Sequence, residues 1–204
     1  MKVLLINGSP NEHGCTYTGL SEVAKTLGEA GIETEIFWLG NKPISGCQAC
    51  SGCDGRCVID DVVNEALDRA ETADAYVFGS PVHYASASGA MTSFLDRFFF
   101  ASGGMHTYKP GAVVVSCRRG GSTAAFDQLN KYLTISQMPV VSSQYWNMIH
   151  GNTPDEVRRD LEGMQIMRTL GRNMAWLLKC IEAGKKAGIE PSYPEKRVGT
   201  NFIR

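Results

Sequence analysis

The chain has 204 residues, a formal net charge of −1 and 43% apolar residues, which suits a single globular domain with a full hydrophobic core. A charge balance this close to neutral gives no electrostatic reason to expect nucleic acid or an anionic membrane surface as a partner. The sequence opens directly into an apolar strand pattern, without a basic leader, and it has no apolar run of the roughly 18 residues that a membrane span needs. We therefore expect a cytoplasmic protein with neither nucleic-acid nor membrane partners.

Apolar β-rich runs alternate with helical patterns along the whole chain. Strands that are apolar on both faces and are joined by helices indicate a parallel sheet covered on both sides, so the pattern predicts an α/β three-layer sandwich. Five strands fit a doubly wound sheet of order 2-1-3-4-5, in which ligands bind beyond the carboxyl ends of the strands. The predicted strands are residues 2–7, 33–39, 75–79, 112–116 and 140–145, and the predicted helices are 16–30, 62–73, 89–100, 123–136 and 154–187, the last interrupted by two glycines.

The segment after the first predicted strand has the composition of an anion site. A helix N-terminus offers free N–H groups and the positive end of the helix dipole, and the polar side chains here add donors without charge. An ordinary turn with one capping hydroxyl is the alternative, but it accounts for only one of these polar groups. The common triphosphate and dinucleotide motifs are absent, so the segment predicts a bound phosphate monoester. The predicted phosphate-binding residues are Ser9, Pro10, Asn11, Cys15, Thr16, Tyr17 and Thr18.

Two further polar or glycine-rich segments follow the third and fourth predicted strands. In the first, small residues leave the backbone accessible while His83 and Tyr84 offer aromatic surface; in the second, two arginines precede a glycine pair. The alternatives are a surface loop that caps the core and two arginines that are merely solvated. Two arginines before a glycine pair also suit an anionic or electron-rich ligand such as a flavin, because a nearby cation stabilises the reduced flavin anion. A phosphate at one end and a flat ring at the other point to FMN. The predicted ring-side residues are Pro81, Val82, His83, Tyr84, Ala85, Ser86, Arg118, Arg119, Gly120 and Gly121.

Four of the seven cysteines lie within residues 46–60, the cysteine-rich loop. Their C-x2-C-x2-C-x3-C spacing is that of the bacterial ferredoxin run, which indicates a [4Fe–4S] cluster. A zinc site and a loop of free, reduced thiols are the other two interpretations. Because the chain has no second run of this kind, the fourth cysteine either closes the same cluster or serves another purpose. The predicted metal ligands are Cys47, Cys50, Cys53 and Cys57.

Taken together, these motifs resemble those of the NADPH-dependent FMN reductase family of flavodoxin-like proteins, particularly its iron–sulfur flavoprotein branch. The resemblance implies a flavodoxin-like fold, FMN as cofactor and a homodimer or homotetramer in which a neighbouring subunit borders the flavin. We expect an FMN-binding domain over residues 1–188 and a tail over 189–204 that packs on a partner subunit. The residues that carry the resemblance are Gly8-Ser9-Pro10 with Cys15-Thr16, Gly79 to Tyr84 with Phe94-Leu95-Asp96-Arg97, and Arg118 to Gly121.

The function expected from these features is an FMN-dependent oxidoreductase. It would take hydride from NAD(P)H and reduce a small acceptor, either a flavin, a quinone, a nitro compound or an iron–sulfur partner such as a ferredoxin. No residue is an obligatory general acid, and His83 is the candidate for that role. Two alternatives stay open: a ferredoxin-linked FMN/[4Fe–4S] electron carrier without NAD(P)H activity, and a non-enzymatic flavodoxin-like interaction module.

Overall fold

The computed structural model describes residues 1–192, 195–196, 198–200 and 202, and it has one parallel five-stranded sheet with helices on both faces. The order β2-β1-β3-β5-β6 is the predicted 2-1-3-4-5 order once β4, a short antiparallel partner of β3, is set aside. The strands are β1 (Lys2–Asn7), β2 (Glu33–Trp38), β3 (Ala75–His83), β4 (Ser86–Ala87), β5 (Gly111–Cys117) and β6 (Met148–His150). The helices are α1 (Cys15–Glu29), α2 (Val62–Ala70), α3 (Gly89–Ala101), α4 (Ser122–Ile135), α5 (Pro154–Arg159) and α6 (Leu161–Lys186).

Two hydrophobic cores lie on opposite faces of the sheet. Side chains alternate between the two faces of a strand, so Val3 and Leu5 pack in the core beneath α1 and α6. Leu4 and Ile6 pack in the other core, beneath α2, α3 and α4. This alternation explains why the central strands are apolar at every position and confirms the three-layer prediction.

The fifth strand was placed wrongly by the sequence, because residues 140–145 do not pair continuously with β5. Only Val140 forms a bridge, to Gly111, and pairing resumes between Val115 and Met148. Eight residues on this segment therefore span four residues on β5, and the excess chain leaves the sheet. The strand itself is Met148–His150.

The third strand is longer than predicted and ends in a hairpin. It continues to His83 and then pairs with Ser86 through β4. Tyr84 and Ala85 have φ values of +49° and +57°, the positive values that a two-residue type I′ turn requires at both central positions. The chain after β3 is therefore a two-stranded hairpin rather than an open loop.

The predicted helix over 154–187 is two helices, and the break lies at Asp160 rather than at the glycines. Asp160 ends α5 and caps α6 by accepting a hydrogen bond from the N–H of Gly163 at 2.9 Å. Its other carboxylate oxygen accepts from the N–H of His150 at 2.7 Å. Asp160 thus joins the end of β6 to the start of α6. The other helices begin or end within three residues of their predicted bounds.

Part of the predicted tail, at positions 193–194, 197, 201 and 203–204, lies outside the described residues. The Tyr108 hydroxyl donates a hydrogen bond to the carbonyl of Ser192 at 3.3 Å, and Val198 and Phe202 are exposed. Packing of this tail on a partner subunit stays a prediction. Within the described ranges, no helix has both the length and the apolar character to cross a membrane.

Candidate functional site

The loops that follow β1, β3 and β5 meet at the carboxyl edge of the sheet. The N–H of Gly8 donates to the carbonyl of Gly79 at 2.9 Å, which joins the ends of β1 and β3. The hydroxyls of Thr16 and Ser116 share a hydrogen bond of 2.7 Å, which joins the start of α1 to the end of β5. This is the switch point at which doubly wound sheets bind ligands, so the convergence of the three predicted segments is confirmed.

The β1–α1 loop, residues 8–14, is held in shape by its own hydrogen bonds. The Asn7 carboxamide accepts from the N–H of Ser9 at 3.1 Å and donates to the carbonyl of Glu12 at 2.8 Å. The hydroxyl of Ser9 accepts from the N–H of Asn11 at 3.1 Å, and the indole of Trp38 donates to the carbonyl of Ser9 at 2.8 Å. Hydrogen bonds within the loop and from the neighbouring strands β1 and β2 therefore fix its conformation.

Helix α1 begins without a capping side chain. Its N-cap is Gly14, and the first turn carries no acidic residue, so the first-turn N–H groups of Cys15, Thr16 and Tyr17 lack intrahelical partners. Helix α4 likewise begins at a glycine, Gly121, whereas a side chain caps each of the other four described helices. Free N–H groups at a helix start are the donors that phosphate prefers, so the start of α1 fits a phosphate monoester.

The predicted phosphate-binding side chains divide into free and engaged groups. Ser9 is 5% exposed, and its hydroxyl proton remains available after the oxygen has accepted from the loop. Thr18 directs its hydroxyl back to the carbonyl of Gly14 at 3.1 Å, and Tyr17 packs edge-on against His13. Burial raises the pKa of the Cys15 thiol, so Cys15 is protonated at neutral pH. Pro10 and Asn11 are exposed at the outer rim of the loop.

The β3–β4 hairpin lies against the loop after β5. A Cβ placed on Gly121 would lie 2.6 Å from the Cα of Ala85, and Gly121 has a φ of +93°. Tyr84 at the hairpin tip is fully exposed, and Arg118 and Arg119 are also exposed. Pro81 and Val82 are half-buried, while His83, Ala85 and Gly120 are exposed and Ser86 is half-buried.

Serines at strand and helix ends hold the hairpin and the β1–α1 loop together, a role that the sequence analysis did not assign to them. The Ser80 hydroxyl accepts from the N–H of Ser88 at 3.0 Å. The hydroxyl of Ser88 caps α3 by accepting from Met91 and donates to the carbonyl of Gly8 at 3.1 Å. On the far side, Gln128 accepts from the hydroxyl of Ser86 at 2.7 Å. The available signal was the position of these serines directly at predicted strand or helix ends.

The cysteine-rich loop lies over the outer face of α3. Residues 39–61, all of which the structure describes, form neither helix nor strand. The backbone is left-handed at Ala49, Ser51 and Gly55, and such a conformation costs a residue other than glycine about 1–3 kcal/mol. One small cavity is lined by Arg97 and Phe100 of α3 and by all four cysteines of the loop, Cys47, Cys50, Cys53 and Cys57.

Cys57 is the fixed point of this loop. It is buried, and Asn64 of α2 both accepts from its N–H at 2.8 Å and donates to its carbonyl at 2.9 Å. The guanidinium Nε of Arg97 donates to its sulfur at 3.2 Å. By contrast, Cys47 and Cys50 are exposed. Burial raises the pKa of the Cys53 thiol, and the three other cysteines raise it further.

The cysteine-rich loop carries a donor set that metals take. The four cysteines line the same cavity. Four cysteine thiolates hold a [4Fe–4S] cluster, and four also hold a structural zinc ion at about 2.3 Å. Within the described ranges, no three His, Cys, Asp or Glu side chains converge on a single ion. By their chemistry, the residues present fit either group.

Comparison with known proteins agrees with this geometry. Residues 1–153 match the family model for NADPH-dependent FMN reductase. An iron–sulfur flavoprotein of Methanocaldococcus jannaschii is 32% identical over 192 residues, which cover 89% of this chain and all of the relative. The similarity thus extends over the full length of the relative and over most of this chain.

Two solved structures show the same fold at low sequence identity. RosB, solved with bound 8-demethyl-8-formylriboflavin-5′-phosphate, has a TM-score of 0.75 at 15% identity, covering 100% of this chain and 92% of RosB. The NAD(P)H:quinone oxidoreductase of Methanothermobacter marburgensis has a TM-score of 0.65 at 18% identity, covering 85% of this chain and 98% of that enzyme. The fold is therefore flavodoxin-like, and the match of the family model over most of the chain shows that the chain belongs to the NADPH-dependent FMN reductase family of flavoprotein oxidoreductases.

Proposed function

We propose that this chain is an FMN-dependent oxidoreductase that takes hydride from NAD(P)H and reduces a small acceptor. The observation that carries the proposal is the uncapped start of α1, in a loop ordered by its own hydrogen bonds, beside an accessible hairpin. A ligand with a phosphate at one end and a flat ring at the other satisfies both parts at once.

The β1–α1 loop would hold the FMN phosphate. The first-turn N–H groups of α1 and the hydroxyl of Ser9 would donate to the phosphate oxygens, and the helix dipole favours their negative charge. The loop has no lysine or arginine, so binding would rely on hydrogen bonds and not on ion pairs. Hydrogen bonds to a charged group contribute about 1.5–3 kcal/mol each.

The hairpin and the loop after β5 would border the flavin ring. Backbone groups of Val82 to Ala85 would face the polar edge of the ring, and Tyr84 offers an aromatic surface beside it. The bound flavin supplies the hydride-accepting chemistry. Arg118 and Arg119 would stabilise negative charge on the reduced ring from the solvent side, and the exposed His83 is the candidate general acid.

We further propose that the four cysteines of the cysteine-rich loop hold a [4Fe–4S] cluster. The proposal is supported by the ferredoxin-like spacing, by the shared cavity of the four thiols and by the similarity to a protein named as an iron–sulfur flavoprotein. Such a cluster supplies one-electron transfer, so the acceptor class then includes one-electron protein partners such as ferredoxins. Cys57, which lines the same cavity as the other three, would be the fourth ligand.

The cysteine-rich loop also favours a second candidate function. A ferredoxin-linked carrier would use the same FMN and the same cluster without any NAD(P)H activity. The two functions differ in the electron donor, so they make opposite predictions for a direct reaction of NAD(P)H with the flavin.

The test uses protein purified without oxygen. Its absorbance spectrum is recorded, iron and zinc are assayed on the same sample, and NADH and NADPH are then added separately. We expect flavin bands, a broad iron–sulfur shoulder with about four irons per chain, and bleaching of the flavin by one nucleotide. Flavin that dithionite bleaches but NAD(P)H does not would support the ferredoxin-linked carrier. A colourless protein that takes up no added FMN would refute both functions.

A further inference from the structure

Arg97 is a fully buried cation whose donors all point at one loop. It lies on α3, is 1% exposed, and is the largest side chain that the fold buries completely. A guanidinium has five N–H donors. Its Nε donates to the sulfur of Cys57 at 3.2 Å, and its two terminal nitrogens donate to the carbonyls of Ser45 and Ile59 and to both carboxylate oxygens of Asp61.

Four of these five bonds account for the burial of the charge. Asp61 pairs with the guanidinium at 2.6 and 2.9 Å and so neutralises it, and the two carbonyls occupy the remaining terminal donors. Burial alone would lower the pKa of Arg97, but the bonds to Asp61 and Cys57 raise it. Arg97 is therefore charged, paired and fixed in place.

The fifth bond serves a different partner. A thiol is a weak acceptor, whereas a thiolate that binds iron carries negative charge, and charged acceptors form the stronger hydrogen bonds. Nε donates to the sulfur of Cys57, which is the one buried cysteine of the four. Asn64 holds both the backbone N–H and the carbonyl of Cys57. The geometry thus supplies a rigid N–H donor to a rigid sulfur.

We propose that Arg97 is a positioning residue that raises the reduction potential of the cluster through its N–H bond to the Cys57 sulfur, and that Asp61 limits this effect. The inference rests on the proposed [4Fe–4S] cluster. Hydrogen bonds to the sulfurs are among the features that set the potentials of such clusters. A donor at the sulfur withdraws electron density and favours the added electron, while the Asp61 carboxylate opposes it by cancelling the guanidinium charge.

The two partners therefore predict shifts of opposite sign. Arg97→Lys keeps the positive charge but removes Nε, so the midpoint potential should fall by about 59 mV or more, a tenfold change in a one-electron equilibrium. Asp61→Asn keeps an equally good N-cap for α2 and leaves the guanidinium charge unopposed, so the potential should rise. A role confined to loop stability would not give shifts of opposite sign.

The experiment is an anaerobic redox titration with dithionite, following the reduced cluster by electron paramagnetic resonance. The flavin potential, read by absorbance in the same titration, is the internal control, and iron per chain is assayed for each variant. Arg56→Gln is the matched control, because Arg56 lies in the same loop but is exposed and pairs with Asp68 outside the cavity. Its cluster potential should stay close to that of the unmodified protein.

Several outcomes would overturn the inference and leave the proposed function standing. These are full iron content with unmoved potentials in both variants, shifts of the same sign, or a shift in Arg56→Gln as large as in Arg97→Lys. Loss of iron from Arg97→Lys with FMN retained would assign Arg97 to loop integrity alone and overturn it as well. Absence of iron from the unmodified protein would instead refute the proposed cluster, and the inference would fall with it.

Discussion

Replacing Gly121 by alanine tests the contact between the hairpin and the loop after β5, on which the proposed flavin site depends. Gly121 is the N-cap of α4 and has a φ of +93°, a conformation that residues with a Cβ rarely adopt. The new methyl group would lie 2.6 Å from the Cα of Ala85, 2.9 Å from its Cβ and 3.1 Å from a methyl of Val82. Two of these three neighbours belong to the hairpin tip itself.

The expected magnitude has two parts. The left-handed backbone costs about 1–3 kcal/mol for alanine. The overlap adds a further amount, because overpacking costs roughly 1–3 kcal/mol where the neighbours cannot move. The hairpin tip is exposed and can shift outward, so we expect a loss of about 2–3 kcal/mol in the free energy of unfolding and a fall in FMN affinity of at least tenfold, or about 1.4 kcal/mol.

Gly120→Ala is the matched control for stability, since a Cβ on Gly120 would meet no atom within 4 Å. The assay is urea unfolding of both variants, combined with fluorescence titration of FMN into apoprotein. For a chain of this size the loss corresponds to a fall of roughly 4–12 °C in Tm. If Gly121→Ala matched Gly120→Ala in stability and bound FMN as tightly as the unmodified protein, the hairpin would not lie against this loop, and the reasoning about the ring-side site would be wrong.

Three further predictions concern the phosphate contacts, a buried histidine and the packing of α6. Ser9→Ala should lower FMN affinity at least tenfold in the same titration, and an unchanged Kd would refute the contact between the Ser9 hydroxyl and the phosphate. Burial lowers the pKa of His106 to about 3, below the roughly 6.5 of an unfolded chain. The unfolded state therefore binds the extra proton, and stability should fall as the pH drops from 6.5 to 4.5, by about 1.4 kcal/mol per unit. His106→Phe should remove that slope in urea unfolding. Gly171→Ala places a Cβ 2.8 Å from Thr26 of α1 and should lower the free energy of unfolding by about 1–3 kcal/mol. Gly184→Ala is the control: its new Cβ meets no atom closer than 3.8 Å, so it should raise the free energy of unfolding by up to about 1 kcal/mol. Equal stabilities of the two variants would contradict the described packing of α6 on α1.

Sequence periodicity predicted the sheet and the meeting of the loops because both follow from local patterns. A buried parallel strand is apolar at consecutive positions, and the rules of doubly wound sheets place its carboxyl end next to the others. The predicted position of the fifth strand was wrong because Val140 and Val141 have strand propensity, but only Val140 in the predicted run of residues 140–145 forms a bridge to β5. Which residues pair with β5 depends on the eight-against-four mismatch in chain length, and that is a tertiary property.

The hairpin and the anchors of the cysteine-rich loop were not predictable in the same way. A type I′ turn is normally signalled by glycine, asparagine or aspartate, but this one is built from Tyr84 and Ala85. Arg97 was noted only as part of a helix motif beside the ring-side loop. Its partners, Cys57 and Asp61, stand 40 and 36 residues away in the chain, and no local pattern links positions so far apart.

Helix α3 carries an anchor for each of the two candidate sites. Ser88 at its start holds the carbonyl of Gly8, and Arg97, nine residues later, holds the cysteine-rich loop. At 1.5 Å per residue these anchors are about 14 Å apart along the helix axis, a distance fixed by helix geometry and by neither loop. A segment of different length or ligand content could therefore replace the chain between Ser45 and Asp61 without disturbing the β1–α1 loop, provided that it returns the same acceptors to Arg97 and fills the core positions of Cys57 and Ile59.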